Sequence, residues 1–216
     1  HLSLFFVGVG SAFSKRHYQT NCIIIKGDDH VMVDCGTKTP QAIYELGLSI
    51  TDIQTFLITH SHADHIGGLE EVMLMGRYVA RKKPSIIINK TYQQLLWDMS
   101  LRGGSAFNEE QAGSVLEFGD MWNIIRPVWL EGYPRETLGT EIGDIDIKIF
   151  RTKHIPDSPD SWQNSFWSCG LILDDRVMFT SDTRFDRDLI TQYGKLFDLE
   201  AIFHDVVGFG NQLHVT

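Results

Sequence analysis

The chain has 216 residues, a length that fits one domain and allows two. Hydrophobic residues make up 43% and charged residues 22%, which excludes an intrinsically disordered chain. The formal net charge of −9 at pH 7 disfavours long nucleic acids as partners, because affinity for phosphate backbones comes mainly from Lys and Arg. A small ligand bound by a local positive feature stays compatible with this charge.

The cysteines and the apolar runs predict a cytoplasmic protein without a membrane segment. Cys22, Cys35 and Cys169 are odd in number and form no CxxC pair, which favours buried thiols in a reducing compartment. The opening HLSLFFVGVGSAFS lacks a basic start, so we expect a first strand there and not a signal peptide. No apolar run approaches the roughly 18 residues of a membrane span.

Short apolar runs alternate with amphipathic stretches along the chain. The predicted strands are LSLFFVGVG, NCIIIKG, HVMVDCG, IQTFLITH, PSIIIN, IGDIDIKIFRTKH, SCGLILDD, RVMFTSD and LEAIFHDVV. The predicted helices are PQAIYELGLS, GGLEEVMLMGRYVA and TYQQLLWDMSLRGG. Because helices fall between groups of strands, we expect an α+β fold with two β-sheets and outer helices. We expect one domain over 1–216, with 76–135 as a helical insertion near the functional site.

The stretch LITHSHADHIGGLEE at 57–71 concentrates metal-binding side chains. His60, His62, Asp64 and His65 lie within six positions, between an apolar strand and a Gly-Gly pair. Imidazole and carboxylate are the ligands that zinc and similar divalent metals prefer. The spacing allows one metal on His60 and His62 and a second on Asp64 and His65. The glycine pair lets the backbone turn closely into the next helix.

THSHADHIGG resembles the HxHxDH signature of the metallo-β-lactamase superfamily. That resemblance implies an αββα sandwich of two mixed sheets with outer helices, and further ligands at later strand ends. It assigns His154 in TKHIPDSPDSW to the first metal and His214 in LHVT to the second, and Asp182 in FTSDT resembles the aspartate that bridges both. The implied cofactors are two divalent ions, zinc or alternatively manganese.

Two further stretches are similar to narrower branches of that superfamily. IFHDVVGFGNQLHVT resembles the segment before the last histidine of ribonuclease Z, with Asp205 in place of Glu. GVGSAFSKRHYQTNCIII, with GLEEV and RYVARKKP, looks like the anti-Pycsar phosphodiesterases. This resemblance implies hydrolysis of a 3′,5′-cyclic nucleotide to the linear monophosphate, which would evade antiphage signalling in the host cytoplasm. We also expect a homodimer.

The resemblance implies roles for particular side chains. Asp64 would orient the attacking water, and His204, held by Asp205, would protonate the departing ribose oxygen. The predicted substrate-binding aromatics are Phe13, Trp162 and Phe166. Further candidates are Trp97, Phe107, Trp167, His17 and Tyr18.

Three alternative functions stay open at this point. A tRNA 3′-processing endoribonuclease would need a basic patch for RNA, whereas RKK at 81–83 is the only compact basic run. A lactonase would share the metal ligands but would not need His204. A non-catalytic nucleotide-binding protein would be expected to have lost some of the ligands.

Overall fold

The computed structural model describes residues 1–156 and 159–206. The chain forms two compact units, His1–Arg126 and Pro127–Thr216. Each unit is built around one six-stranded sheet. The expectation of a single domain stays a prediction.

The first unit contains a mixed sheet with the strand order β1-β2-β3-β4-β5-β8 and a separate hairpin of β6 and β7. Its strands are β1 Leu2–Gly8, β2 Asn21–Lys26, β3 Asp29–Val33, β4 Thr55–Leu57, β5 Ser85–Ile87, β6 Glu110–Gln111, β7 Ser114–Val115 and β8 Asn123–Ile125. The first three strands are antiparallel, whereas β3, β4, β5 and β8 are parallel. Parallel strands are covered on both faces, and this explains their continuous apolar runs.

The helices of the first unit connect its parallel strands. They are α1 Thr39–Glu45, α2 Ala63–Ile66, α3 Leu69–Leu74, α4 Lys90–Leu96, α5 Arg102–Ser105 and α6 Phe118–Met121. Wider π turns continue α3 over Met75–Ala80 and α4 over Trp97–Leu101, and 3-10 turns lie at Ile50–Asp52 and Ala106–Asn108. Pro40 lies in the first turn of α1, as predicted, and Asn89 caps α4 by accepting from the Tyr92 backbone N–H.

The second unit contains a sheet with the order β14-β13-β12-β11-β10-β9. Its strands are β9 Val128–Trp129, β10 Thr137–Ile142, β11 Ile145–Arg151, β12 Cys169–Leu173, β13 Val177–Phe179 and β14 Ala201–Phe203. All neighbours are antiparallel except β13 and β14. A π turn at Leu189–Tyr193 and a 3-10 turn at Gly194–Leu196 precede β14. One core cluster joins the sheet to the π turn through Phe150, Ile172, Met178, Leu189 and Tyr193.

The segment 76–135 differs from the predicted helical insertion. It supplies β5 and β8 to the first sheet and β9 to the second, and its helical part lies mainly at 90–105. The α+β class predicted from the sequence is confirmed.

The three cysteines are free and buried, and burial raises the pKa of the Cys22 thiol to about 12. Every helix among residues 1–156 and 159–206 is too short or too polar to cross a membrane.

Candidate metal centre

In the first unit, the candidate ligands follow the carboxyl end of a parallel strand. Strand β4 ends at Leu57, and the chain then passes through His60 and His62 into α2, which carries Asp64 and His65. Parallel neighbours β3 and β4 end at the same edge of the sheet, where ligand sites of parallel sheets commonly form. The topology therefore brings residues after β3 to the same place.

His60 and His62 present two ring nitrogens to one point. The His60 Nε2 and His62 Nδ1 atoms are 3.0 Å apart, and Nδ1 of His60 contacts the Thr59 hydroxyl at 3.2 Å. Two nitrogens bound to one tetrahedral zinc at about 2.0–2.1 Å would lie about 3.3 Å apart. His60 is fully buried. This pair therefore fits a shared divalent metal.

Asp34, the residue after β3, holds His65 in place, and the sequence did not reveal this role. Its carboxylate lies 2.7 Å from His65 Nδ1 and accepts from the Thr59 hydroxyl and backbone N–H, both at 2.8 Å. Asp34 is 1% exposed. Because Nδ1 is engaged, His65 Nε2 is directed to the Asp64 carboxylate at 3.4 Å. A carboxylate behind a histidine is the usual device that orients a metal ligand.

Glycines allow the ligand loop to pack against the segment after Asp34. Gly67 and Gly68 have φ of −63° and −89°, which any residue adopts, so close contact is the reason for glycine there. A Cβ at Gly67 would lie 2.2 Å from the Thr37 hydroxyl oxygen. A Cβ at Gly36 would lie 2.0 Å from the Asp64 carbonyl oxygen. Substitution on either side would displace α2 and its ligands.

In the second unit, three strands end at one edge of the sheet. Strands β11 and β13 run in the same direction because each is antiparallel to β12, and β14 is parallel to β13. His154, Asp182 and His204 follow the carboxyl ends of these strands in that order. His154 Nε2 lies 3.9 Å from Asp182 Oδ2, and His154 is fully buried. The second unit thus presents a histidine–aspartate pair with metal-ligand chemistry.

Thr180 orients His204. Its hydroxyl lies 3.0 Å from His204 Nδ1 and accepts from the Asp205 backbone N–H at 3.4 Å. The Thr180 proton goes to the Ser181 carbonyl at 3.0 Å, so Nδ1 of His204 is the donor. That assignment leaves Nε2 to gain and lose a proton. Burial lowers the pKa of His204 below its usual value, although the Asp205 carboxylate opposes that effect.

The predicted substrate aromatics differ in their surroundings. Phe13 and Phe166 are 87% and 60% exposed, and half-buried Trp162 lines a cavity of about 460 Å³ in the second unit. Trp97 is buried against Phe118 with ring centroids 5.8 Å apart, so this further candidate belongs to the core. The predicted ligand His214 lies outside the described residues.

Sequence comparison identifies relatives along almost the whole chain. The family described as "Anti-Pycsar protein Apyc1" matches residues 2–216. The Anti-Pycsar protein Apyc1 of Paenibacillus harenae is 33% identical over 201 residues, covering 92% of this chain and 74% of that protein. The protein of that name from Bacillus phage 010DV004 is 31% identical over 218 residues, covering 100% of this chain and 80% of the phage protein.

Solved structures share the fold at low sequence identity. The metallo-β-lactamase fold protein YhfI from Bacillus subtilis aligns with a TM-score of 0.63 and 13% identity, over 88% of this chain and 66% of YhfI. A diphosphatase of the PhnP family aligns with a TM-score of 0.63 and 14% identity, over 100% of this chain and 79% of that one. The short form of human tRNase Z aligns with a TM-score of 0.53 and 16% identity, over 83% of this chain and 68% of that one.

The fold and the histidine–aspartate ligand chemistry define a metal-dependent hydrolase with the metallo-β-lactamase fold. Within that class, the chain belongs to the Anti-Pycsar Apyc1 family.

Proposed function

We propose that this protein hydrolyses a 3′,5′-cyclic nucleotide to the linear monophosphate with two divalent metal ions. The ions would be held by His60, His62, Asp64 and His65 of the first unit, His154 and Asp182 of the second, and His214. The observation that carries the proposal is the orientation of His204: the Thr180 hydroxyl engages its Nδ1, and it follows a strand that ends at the same edge of the sheet as those before His154 and Asp182. Simple metal binding does not require that side chain.

The donor set fits zinc, and manganese is the alternative. Three histidines and one aspartate would come from the first unit, one histidine and one aspartate from the second, and His214 would complete the set. Mixed nitrogen and oxygen donors suit either metal. When bound, a pair of such ions lowers the pKa of water and stabilises negative charge on a phosphoryl oxygen.

The chain's own residues would supply orientation and proton transfer. The Asp64 carboxylate, 3.4 Å from His65 Nε2, would orient the water that attacks phosphorus and accept its proton. His204 would give the Nε2 proton to the ribose oxygen that leaves. Burial lowers the pKa of His204, and the Asp205 carboxylate opposes this effect only in part. The protonated imidazole therefore gives up its proton readily. Opening of the ring then leaves a phosphomonoester.

Hydrolysis of the four common 3′,5′-cyclic mononucleotides would test this proposal. The protein loaded with zinc or manganese would be incubated with cAMP, cGMP, cCMP and cUMP, and products separated by chromatography. We expect linear monophosphates, loss of turnover with a chelator, and recovery when metal is added back. Asp64→Asn should lose activity, and His30→Gln, which changes a histidine outside the ligand set, should keep it.

Two outcomes would contradict the proposal. Release of monophosphate that persists after complete removal of metal would exclude the mechanism. Cleavage of precursor tRNA without turnover of any cyclic nucleotide would favour the endoribonuclease alternative, which the net charge of −9 disfavours.

The family name supports a biological role that goes with this activity. Two relatives called Anti-Pycsar protein Apyc1 come from a bacterium and a Bacillus phage. We propose that the protein removes a cyclic nucleotide messenger in the cytoplasm and so counters antiphage signalling.

We also propose a homodimer, because Tyr78, Val79, Met99 and Phe107 are exposed on the first unit. Light scattering coupled to size exclusion would measure its mass.

A further inference from the structure

Arg151, the last residue of β11, holds the loop that follows His154. It comprises residues 159–168 and is called the 159–168 loop. Arg151 Nη2 donates to the carbonyls of Ser165 at 2.9 Å, Phe166 at 3.1 Å and Trp162 at 3.5 Å. Its Nε donates to a fourth loop carbonyl, that of Ser168, at 3.3 Å. One guanidinium thus reaches four backbone carbonyls of one loop.

Contacts on both sides fix the guanidinium itself. Its Nη1 lies 3.5 Å from a carboxylate oxygen of Glu136, and its carbon lies 4.9 Å from the centre of the Trp167 ring. The Arg151 side chain is 12% exposed. A partly buried arginine with carbonyl, carboxylate and aromatic partners has one preferred position. The fixed guanidinium can therefore hold the carbonyls of the loop in one arrangement.

The 159–168 loop has little apolar burial to hold it otherwise. Of its ten residues, Pro159, Ser165 and Ser168 are the buried ones. Polar contacts also anchor it, such as the Phe166 N–H that donates to the Ile155 carbonyl at 2.7 Å. Segments with few buried apolar contacts open at low free-energy cost. The arrangement of this loop therefore depends strongly on Arg151.

We propose that Arg151 is a positioning residue that fixes the 159–168 loop and, through it, the affinity for the nucleotide substrate. The inference rests on the proposed function, because Trp162 and Phe166 in this loop are the predicted substrate contacts. Arg151 itself touches neither reacting atoms nor metal ligands in this scheme. Its loss should raise KM and leave kcat nearly unchanged.

Arg151→Lys is the informative variant, because lysine keeps the charge but not the planar fork of donors. Since each 1.4 kcal/mol of lost binding is tenfold in affinity, we expect KM to rise about tenfold, with kcat changed less than about threefold. Arg176→Lys is the matched control: Arg176 donates to the Glu200 carboxylate at 2.7 and 2.8 Å in the same unit, outside this loop. Its KM should equal that of the wild type.

A second measurement needs no substrate. Chymotrypsin cleaves after aromatic residues, and the loop offers Trp162, Phe166 and Trp167. Limited digestion at these sites should be about tenfold faster in Arg151→Lys than in the wild type or Arg176→Lys, because the loop opens more often. Thermal unfolding of each variant would establish that it is folded.

The two measurements separate the possible failures. Equal nicking rates in wild type and Arg151→Lys would overturn the positioning role whatever the activity. Faster nicking with unchanged KM, or a loss of kcat alone, would overturn the link to substrate affinity. If no variant hydrolyses any cyclic nucleotide, the proposed function and the link to substrate affinity both fail, and nicking still decides whether Arg151 holds the loop. In a Trp162→Ala, Phe166→Ala background, Arg151→Lys should add no further rise in KM.

Discussion

Asp34 acts on the candidate metal centre through His65 and Thr59. Its carboxylate engages His65 Nδ1 and two donors of Thr59 while lying almost completely out of solvent. A metal ligand that loses such a partner loses its orientation and part of its basicity. The residue thereby connects two neighbouring parallel strands to the chemistry at their ends.

Asp34→Ala is expected to weaken metal binding by about 10- to 100-fold, the usual effect of removing a carboxylate behind a histidine ligand. Competition with a chromophoric chelator would measure the affinity of the folded protein. Asp28→Asn, a change in the exposed turn between β2 and β3, is the control and should bind metal normally. Unchanged affinity in Asp34→Ala would show that His65 needs no partner.

His204→Ala should lower kcat on a cyclic nucleotide by about 10²- to 10⁴-fold, the range of general acid catalysis. With bis(4-nitrophenyl) phosphate the loss should be small, because nitrophenolate leaves without being protonated. Steady-state kinetics on both substrates would give the ratio, with His30→Ala as the histidine control. Equal losses on the two substrates would mean that His204 binds or shapes the site and does not donate the proton.

The ligands close together in sequence could be predicted from their pattern alone. His60, His62, Asp64 and His65 form a pattern within six positions, so their chemistry can be inferred before any fold is known. Asp34 lies 31 positions from His65 and resembles an ordinary turn residue after a strand. Only the pairing of β3 with β4 brings it to the histidine.

A strand could be predicted from the sequence only where its residues form a continuous apolar run or alternate between apolar and polar. Strands such as β3 and β4 follow from their apolar runs, and β11 alternates as its sequence indicates. The strand β10, TLGTEI, was missed because threonine, glycine and glutamate interrupt its apolar pattern. The two- and three-residue strands β6 to β9 were missed because such short segments carry no period.

A pair of charged side chains joins the π turn after α3 to the segment before β6. Arg77 Nε and Nη2 donate to the Glu109 carboxylate at 2.6 and 2.8 Å, and the Tyr78 hydroxyl donates at 2.7 Å. These donors lower the pKa of Glu109 from 4.5 to about 2. A lowered carboxyl pKa stabilises the fold above the unfolded-state value and ceases to do so as pH falls through the folded-state value.

Glu109→Gln should therefore be less stable than the wild type at pH 7, and the difference should shrink as the pH falls from about 4.5 towards 2. Urea unfolding at several pH values would follow it. Glu141→Gln serves as the control, because it makes the same chemical change at an exposed residue of β10 in the second unit. A difference that stays constant with pH would mean that Glu109 contributes by shape and not by charge.

The proposed ligands come from both compact units. His60 belongs to the first and His154 to the second. The sequence predicts that these ligands follow strands, but it predicts one domain and not two units. The fold name came from the HxHxDH resemblance, because apolar patterns alone do not determine which strands pair. If the ions bind ligands of both units, the loss of a ligand from either unit should reduce the stabilisation that metal gives to the folded chain.

Metal removal should lower the Tm, and zinc should restore it. A ligand at 100 times its Kd stabilises the native state by about 2.7 kcal/mol, which corresponds to roughly 5–10 °C in a chain of this size. His60→Ala and His154→Ala should each lose most of the zinc-dependent rise, although they lie in different units, and His30→Ala should keep it. Scanning calorimetry with chelator or zinc would measure the shifts. A full zinc effect in His154→Ala would show that the first unit binds the metal alone.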